Sequence, residues 1–223
     1  MRPMNGEPEN FRKLSGSPPL PPRCVALTFD DGPGPQSADL ARLLRQEKVP
    51  AMFFVLGENV PLHRGALDVI VDCGHGIALH GDEHKPFSSA AIAKQQLKRC
   101  RAKVRDYLGK AIWFRPPYGC GDFAVKGYCG PVGWDADGQD WEITFRQGQN
   151  VAGCVNMIVS RLQAINGGIV LLHDYVPASE MRQKNLSDSD LDLRVIEITS
   201  SLIARLRGEG FSFVGLDASV GST

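Results

Sequence analysis

At 223 residues and 43% hydrophobic content, the chain has enough apolar material to bury one full core, and nothing in it calls for a second. Its 25 Lys and Arg residues balance 25 Asp and Glu, so no net field draws it to nucleic acid or an anionic membrane, and its partners should be small or uncharged. The longest apolar stretches stop short of a membrane span, and no apolar h-region follows the basic residues of the amino terminus, so neither a membrane segment nor a signal peptide is expected.

Residues 1–22 mix Pro3, Pro8, Pro18, Pro19, Pro21 and Pro22 with Gly, Asn, Glu and Ser, the composition of an extended or disordered arm. From 23 to 223 a single domain is expected. Apolar runs of strand length fall at 24–29, 51–55, 76–79, 112–114, 132–134, 168–172 and 211–214. Helical periodicity fits 37–47, 62–72, 88–108, 150–165 and 191–207, with Gly109, Gly167 and Gly208 as stops. Alternation of this kind gives a parallel α/β sheet or barrel. The six cysteines contain no Cys-x-x-Cys pair, which argues against a zinc ribbon or a thioredoxin-like site. Cys120 and Cys129 flank a Gly-rich segment and are the nearest candidates for a local disulfide in an oxidising compartment; buried free thiols are the alternative.

The reactive side chains sort themselves by strand. Asp30-Asp31 follow the first, His80 the third, Arg115 the fourth, Asp135 and Asp137 the fifth, and His173-Asp174 the sixth. All lie at carboxyl ends, the face where parallel sheets and barrels build their sites, so these loops should converge on one cleft. Two adjacent carboxylates repel unless something positive holds them. His80 and His84 lie four apart, at metal-ligand spacing, and the segment is not the zincin pattern because Gly81 stands where a Glu would be needed. Two histidines and one carboxylate leave coordination positions open for water and substrate. Only one of Asp30 and Asp31 is needed for the ion; the other can take a proton from the attacking water. His173, delivered by a buried strand beside acidic residues, suits a general acid.

These pieces together resemble the polysaccharide deacetylases of the NodB-homology, carbohydrate esterase family 4 type, over residues 24–217. The matching motifs are Thr28-Phe29-Asp30-Asp31-Gly32-Pro33, His80 with His84, Arg115-Pro116-Pro117-Tyr118, Asp137-Gly138-Gln139-Asp140-Trp141 and Leu171-Leu172-His173-Asp174. The resemblance implies a distorted (β/α)7 barrel. It makes Asp30 the base, Asp31, His80 and His84 the metal ligands, and Arg115 the residue that orients Asp30. His173 becomes the acid, tuned by Asp137 or Asp140. The Tyr118 backbone N–H would stabilise the oxyanion, and Leu172 would line the pocket for the acetyl methyl.

Two departures from the family pattern stand out. Gly81 replaces a hydroxyl residue, so its loop should be looser or propped from elsewhere. The segment 175–192 is long and polar and should form a mobile flap beside the site. The expected reaction is metal-dependent removal of acetyl groups, N-acetyl first, from a carbohydrate. Zinc is the first choice of ion, with cobalt, manganese or iron also compatible with an N/O donor set. Trp134, Trp141, Tyr118, Tyr175 and Phe87 are candidates for an apolar platform under a sugar ring. The alternatives are a related hydrolase of a non-polymeric amide and an inactive carbohydrate-binding barrel. The resemblance points to the envelope or the exterior and the missing signal peptide to the cytoplasm; the oligomeric state is left open.

Overall fold

The computed structural model describes residues 11–216. Its elements run β1 (Cys24–Asp30), α1 (Ser37–Gln46), β2 (Ala51–Val55), α2 (Val60–Asp72), β3 (Gly76–Leu79), α3 (Ala90–Val104), β4 (Ala136–Asp137), α4 (Asp140–Thr144), α5 (Val151–Ile165), β5 (Gly168–His173), α6 (Ala178–Lys184), α7 (Val195–Gly208) and β6 (Ser212–Phe213). Every strand pair within the six-stranded sheet is parallel, in the order β3-β2-β1-β5-β4, with β6 pairing the start of β1. β1 lies between β2 and β5 and is buried on both faces, which is why Val-Ala-Leu-Thr-Phe carries no charge until its carboxyl end.

Strand alternation divides the sheet's two faces. Val25, Leu27 and Phe29 turn toward the main core, where they meet Leu40 and Leu44 of α1, Ile158 and Leu162 of α5 and Leu202 and Leu206 of α7. Ala26 turns the other way, into a smaller cluster with Met52, Phe54, Trp113, Val132 and Ile169. Thr28 and Asp30 continue that inner face, so the barrel interior becomes polar toward the carboxyl ends of its strands.

Two of the seven expected strands are not strands. The segment 112–114 makes only the isolated parallel bridges Leu79↔Phe114 and Trp113↔Cys129, and 132–134 is irregular, with the next strand beginning at Ala136. Pro116, Pro117 and Pro131 remove ladder donors here, and Gly130 and Gly133 add no strand propensity. The expected helix at 88–108 stops at Val104 and tightens into one 3₁₀ turn, Arg105–Tyr107; the last helix starts at Val195 rather than 191.

Residues 11–22 form a strap along this irregular side. Arg12 and Trp134 exchange both backbone hydrogen bonds, at 2.8 and 2.9 Å, Leu14 is buried, and the Ser17 hydroxyl accepts from the Gly133 N–H. Any Cβ on Gly133 would lie 1.9 Å from the Arg12 carbonyl oxygen, so the close approach needs glycine. The rest of the expected arm, residues 1–10, lies outside the described residues. Segment 175–192 is folded: it contains α6 and the 3₁₀ turn Asp188–Asp190, and it buries Tyr175, Val176, Met181 and Leu191 in a cluster of its own.

Candidate active site

Parallel register sets the site. Asp30 at the end of β1 pairs with His173 at the end of β5, His80 follows β3, and the Arg115 N–H bonds the Leu79 carbonyl beside it. Arg115 is wholly buried, an arrangement that is stable only when its donors are used. Nη1 donates to Asp30 Oδ1 at 2.7 Å and to the Thr28 hydroxyl at 2.9 Å. Nε donates to the Val132 carbonyl and Nη2 to the Gly133 carbonyl, while the guanidinium carbon lies 4.3 Å from the Phe54 ring centroid. One Asp30 oxygen is thereby fixed, and the other, Oδ2, stands 3.6 Å from His80 Nε2.

Asp31 has φ 71°, and its carboxylate faces the same His80 Nε2 as Asp30 Oδ2 does. Its Oδ1 lies 3.4 Å from both His80 Nε2 and His84 Nε2, and no described residue hydrogen-bonds it although it is buried. The other nitrogen of each ring is engaged. His80 Nδ1 lies 2.9 Å from the Arg115 carbonyl, which can only accept, so Nδ1 carries the proton and Nε2 offers a lone pair. His84 Nδ1 faces Glu180 at 3.3 Å and repeats the pattern. Burial holds His80 below its ordinary pKa, against the pull of Asp30 and Asp31, which favours the neutral ligand form. One ligand atom from each of Asp31, His80 and His84 lies within 4.8 Å of the others. An orphaned carboxylate oxygen facing two outward lone pairs is a donor set that a divalent cation satisfies, and no neutral arrangement of these three groups does so as well.

Across the cleft, His173 Nδ1 bonds Asp140 Oδ1 at 2.8 Å, and the same carboxylate accepts the His173 N–H at 2.7 Å. Burial, the largest single influence, opposes protonation of this ring, but Asp140, Asp31 and Asp30 together outweigh it, and the pKa rises to about 10. The structure thus separates the two fourth-motif aspartates. Asp137 accepts from the Gln139 N–H, and its own desolvation raises it to about 6. Asp135 is spent on the Ile169 N–H. Asp174 accepts from the Ser37 hydroxyl below the Gly32-Pro33 turn, where any side chain at Gly32 would strike it.

The likeness to known proteins covers the same ground. Residues 17–128 match the family described as polysaccharide deacetylase. A chitooligosaccharide deacetylase of Bradyrhizobium sp. (strain ANU 289) is 33% identical over 214 residues, covering 91% of this chain and 90% of its own. The chain belongs to the polysaccharide deacetylase family. A peptidoglycan-N-acetylglucosamine deacetylase of Listeria monocytogenes is 28% identical over 86% of this chain, which spans 38% of that longer protein. For the fold, the solved chitin deacetylase of Colletotrichum lindemuthianum superposes with a TM-score of 0.73 at 24% identity, covering 93% of each chain.

In this deacetylase the loop after β3 is propped without the hydroxyl residue that Gly81 replaces. Gly81 has φ 99°, which excludes most side chains, and the Glu83 carbonyl would lie 3.2 Å from a Cβ. Gln96 of α3 takes over: its Oε1 accepts the N–H groups of Asp82 and Glu83, each at 3.0 Å, while Glu58 accepts that of His84. His80 and His84 are therefore presented by a bend rather than by a helical turn, with ring centroids 5.5 Å apart.

Several other expectations change. Leu172 pairs with Phe29 and is wholly buried in the main core, so it does not face the cleft; strand alternation puts Leu171, opposite Thr28, on the face of Asp30 and His173. Phe87 and Tyr175 are buried and unavailable as a platform, and Tyr175 donates its hydroxyl to Asp188. Trp134 and Trp141 are half-buried, while Tyr118 is 46% exposed with its ring centroid 4.2 Å from that of His84. All six cysteines are free thiols, Cys120 and Cys129 included. Sequence reasoning missed Glu58, Asn59, Gln96 and Glu180; only the position of Glu58-Asn59 just beyond a strand's carboxyl end could have signalled them.

Proposed function

We propose that this chain is a metal-dependent deacetylase that hydrolyses the N-acetyl groups of N-acetylglucosamine units in a β-linked oligomer or polymer. The observation that carries this reading is the buried, unpartnered Asp31 Oδ1 held 3.4 Å from the Nε2 atoms of His80 and His84, beside an Asp30 already oriented by Arg115. Asp31, His80 and His84 would hold a divalent ion, with zinc the first choice and cobalt, manganese or iron also suited, which would lower the pKa of water and polarise the acetyl carbonyl. Asp30 accepts the proton of the attacking water on Oδ2, since Oδ1 is committed to Arg115. The backbone N–H of Tyr118 donates to the oxyanion. His173, its Nδ1 committed to Asp140, gives the Nε2 proton to the departing amine, and Leu171 packs against the acetyl methyl. The intact base and acid pair argues against a pure binding barrel.

The reading is tested by acetate release from chitooligosaccharide before and after chelation. Activity falls to background with chelator and returns with Zn²⁺ or Co²⁺; undiminished release by metal-free protein overturns it.

The acid role of His173 gives a pH dependence with a definite sign. A donor must be protonated, so turnover falls as pH rises through the His173 pKa, about 10 with Asp140 in place. Removing Asp140 takes away the largest of the raising influences and leaves burial, which lowers the pKa, opposed only by Asp31 and Asp30. Asp140→Asn therefore moves the alkaline limb of the kcat profile down by about one to three pH units. An unmoved limb would reject His173 as the acid.

A further inference from the structure

The segment 175–192 shares partners with both loops that carry the metal ligands. Asn59, wholly buried, donates from Nδ2 to the carbonyl of Asp31 and to that of Val176 at 2.5 and 2.9 Å, and accepts the Ala178 N–H on Oδ1 at 2.9 Å. Glu58 accepts the Ser179 N–H at 2.7 Å and the Ser179 hydroxyl at 2.9 Å with the same carboxylate that takes the His84 N–H at 3.2 Å. Arg182 adds an ion pair to Glu58 at 3.3 Å. The start of α6 is thereby clasped to the backbone of Asp31 on one side and of His84 on the other.

From that clasped helix Glu180 reaches inward. Its Oε1 lies 3.3 Å from His84 Nδ1 and accepts the Tyr118 hydroxyl at 3.2 Å, while Lys184 of the same helix stands 3.7 Å from Oε2. A carboxylate on the far nitrogen of a ligand histidine fixes the tautomer, fixes the ring plane and makes the near nitrogen a better donor.

We propose that Glu180 is a positioning residue of the metal centre, holding His84 with Nε2 toward the ion and Tyr118 against it, so that α6 is a fixed wall of the site rather than a mobile flap. This rests on the reading of Asp31, His80 and His84 as metal ligands. No other described carboxylate hydrogen-bonds either ring, so the far side of His84 depends on α6.

The test is metal affinity, read apart from turnover. Zn²⁺ and Co²⁺ are titrated into metal-free full-length protein against a chromogenic chelator, for wild type, Glu180→Ala, Glu180→Gln and Lys184→Ala, with the melting temperature of each metal-free form as the control for folding. Loss of such an outer carboxylate costs about 10- to 100-fold in affinity. Glu180→Ala is expected in that range with the metal-free melting temperature unchanged. Glu180→Gln, whose amide oxygen still accepts the Nδ1 proton, should fall between, and Lys184→Ala close to wild type. Affinity of Glu180→Ala within twofold of wild type overturns the proposal. If that variant fails to fold, Glu180→Gln decides: weaker binding supports the proposal and unchanged binding overturns it. If wild type binds neither ion, the metal reading itself falls and this proposal with it, whereas tight wild-type binding with unaffected Glu180 variants overturns this proposal alone.

Discussion

Asparagine at position 30 removes the proton acceptor without removing an ion, and acetate release is expected to fall by about 10²- to 10⁴-fold. The size follows from how tightly Asp30 is committed. Its Oδ1 is held at 2.7 Å by an arginine with no solvent exposure, so no water or neighbouring side chain can take over the position. Asp31, His80 and His84 are untouched by the change, so bound metal per chain should equal wild type. Asn still offers Arg115 an acceptor, but a neutral one, and breaking a buried ion pair outright costs on the order of 3–5 kcal/mol. A lowered melting temperature with near-stoichiometric metal and almost no turnover is the expected combination. Turnover near wild type would remove Asp30 as the base.

Asp31→Asn separates the two members of the acid pair, because here the ion is lost as well as the activity. Asp31 supplies the one anionic donor of the three, and its replacement should weaken metal binding by more than the roughly 10- to 100-fold that loss of an outer partner costs. Turnover falls to background at metal concentrations that saturate wild type. Asn is the informative choice because it tolerates φ 71° better than other side chains, so backbone strain does not confuse the result. The metal-free variant should melt no lower than metal-free wild type: the substituted oxygen has no described hydrogen-bond partner, and a buried charge is removed. Calorimetric titration of the metal together with a melting curve checks both halves, and wild-type metal affinity in Asp31→Asn would contradict the assignment.

The central part of this arrangement is legible because it depends on local rules. Buried strands read as apolar runs, and a polar residue at the carboxyl end of such a run faces the cleft, which places Asp30, His80 and His173 with no knowledge of tertiary contacts. The irregular side is less legible, since 112–114 has strand composition but meets Pro116 and Pro117, and its pairing reduces to single bridges. Leu171 and Leu172 are chemically identical, so only their register against β1 tells the cleft side from the core side. Glu180 is invisible for another reason: its contact with His84 spans 96 residues of sequence and exists only because Asn59 and Glu58 fasten α6 in place. Gln96 likewise reads as an ordinary helix residue until the Gly81 loop is folded over it.

The most direct test of the account is the stoichiometry of products from N-acetylated substrate. Wild-type protein with one equivalent of Zn²⁺ is incubated with chitooligosaccharides, peptidoglycan fragments and acetylated xylan, with and without chelator, and acetate and free amine are both quantified. The account predicts equal amounts of acetate and new amine from an N-acetylglucosamine substrate, abolished by chelator. No acetate from any of the three, or release unaffected by chelator, would contradict it.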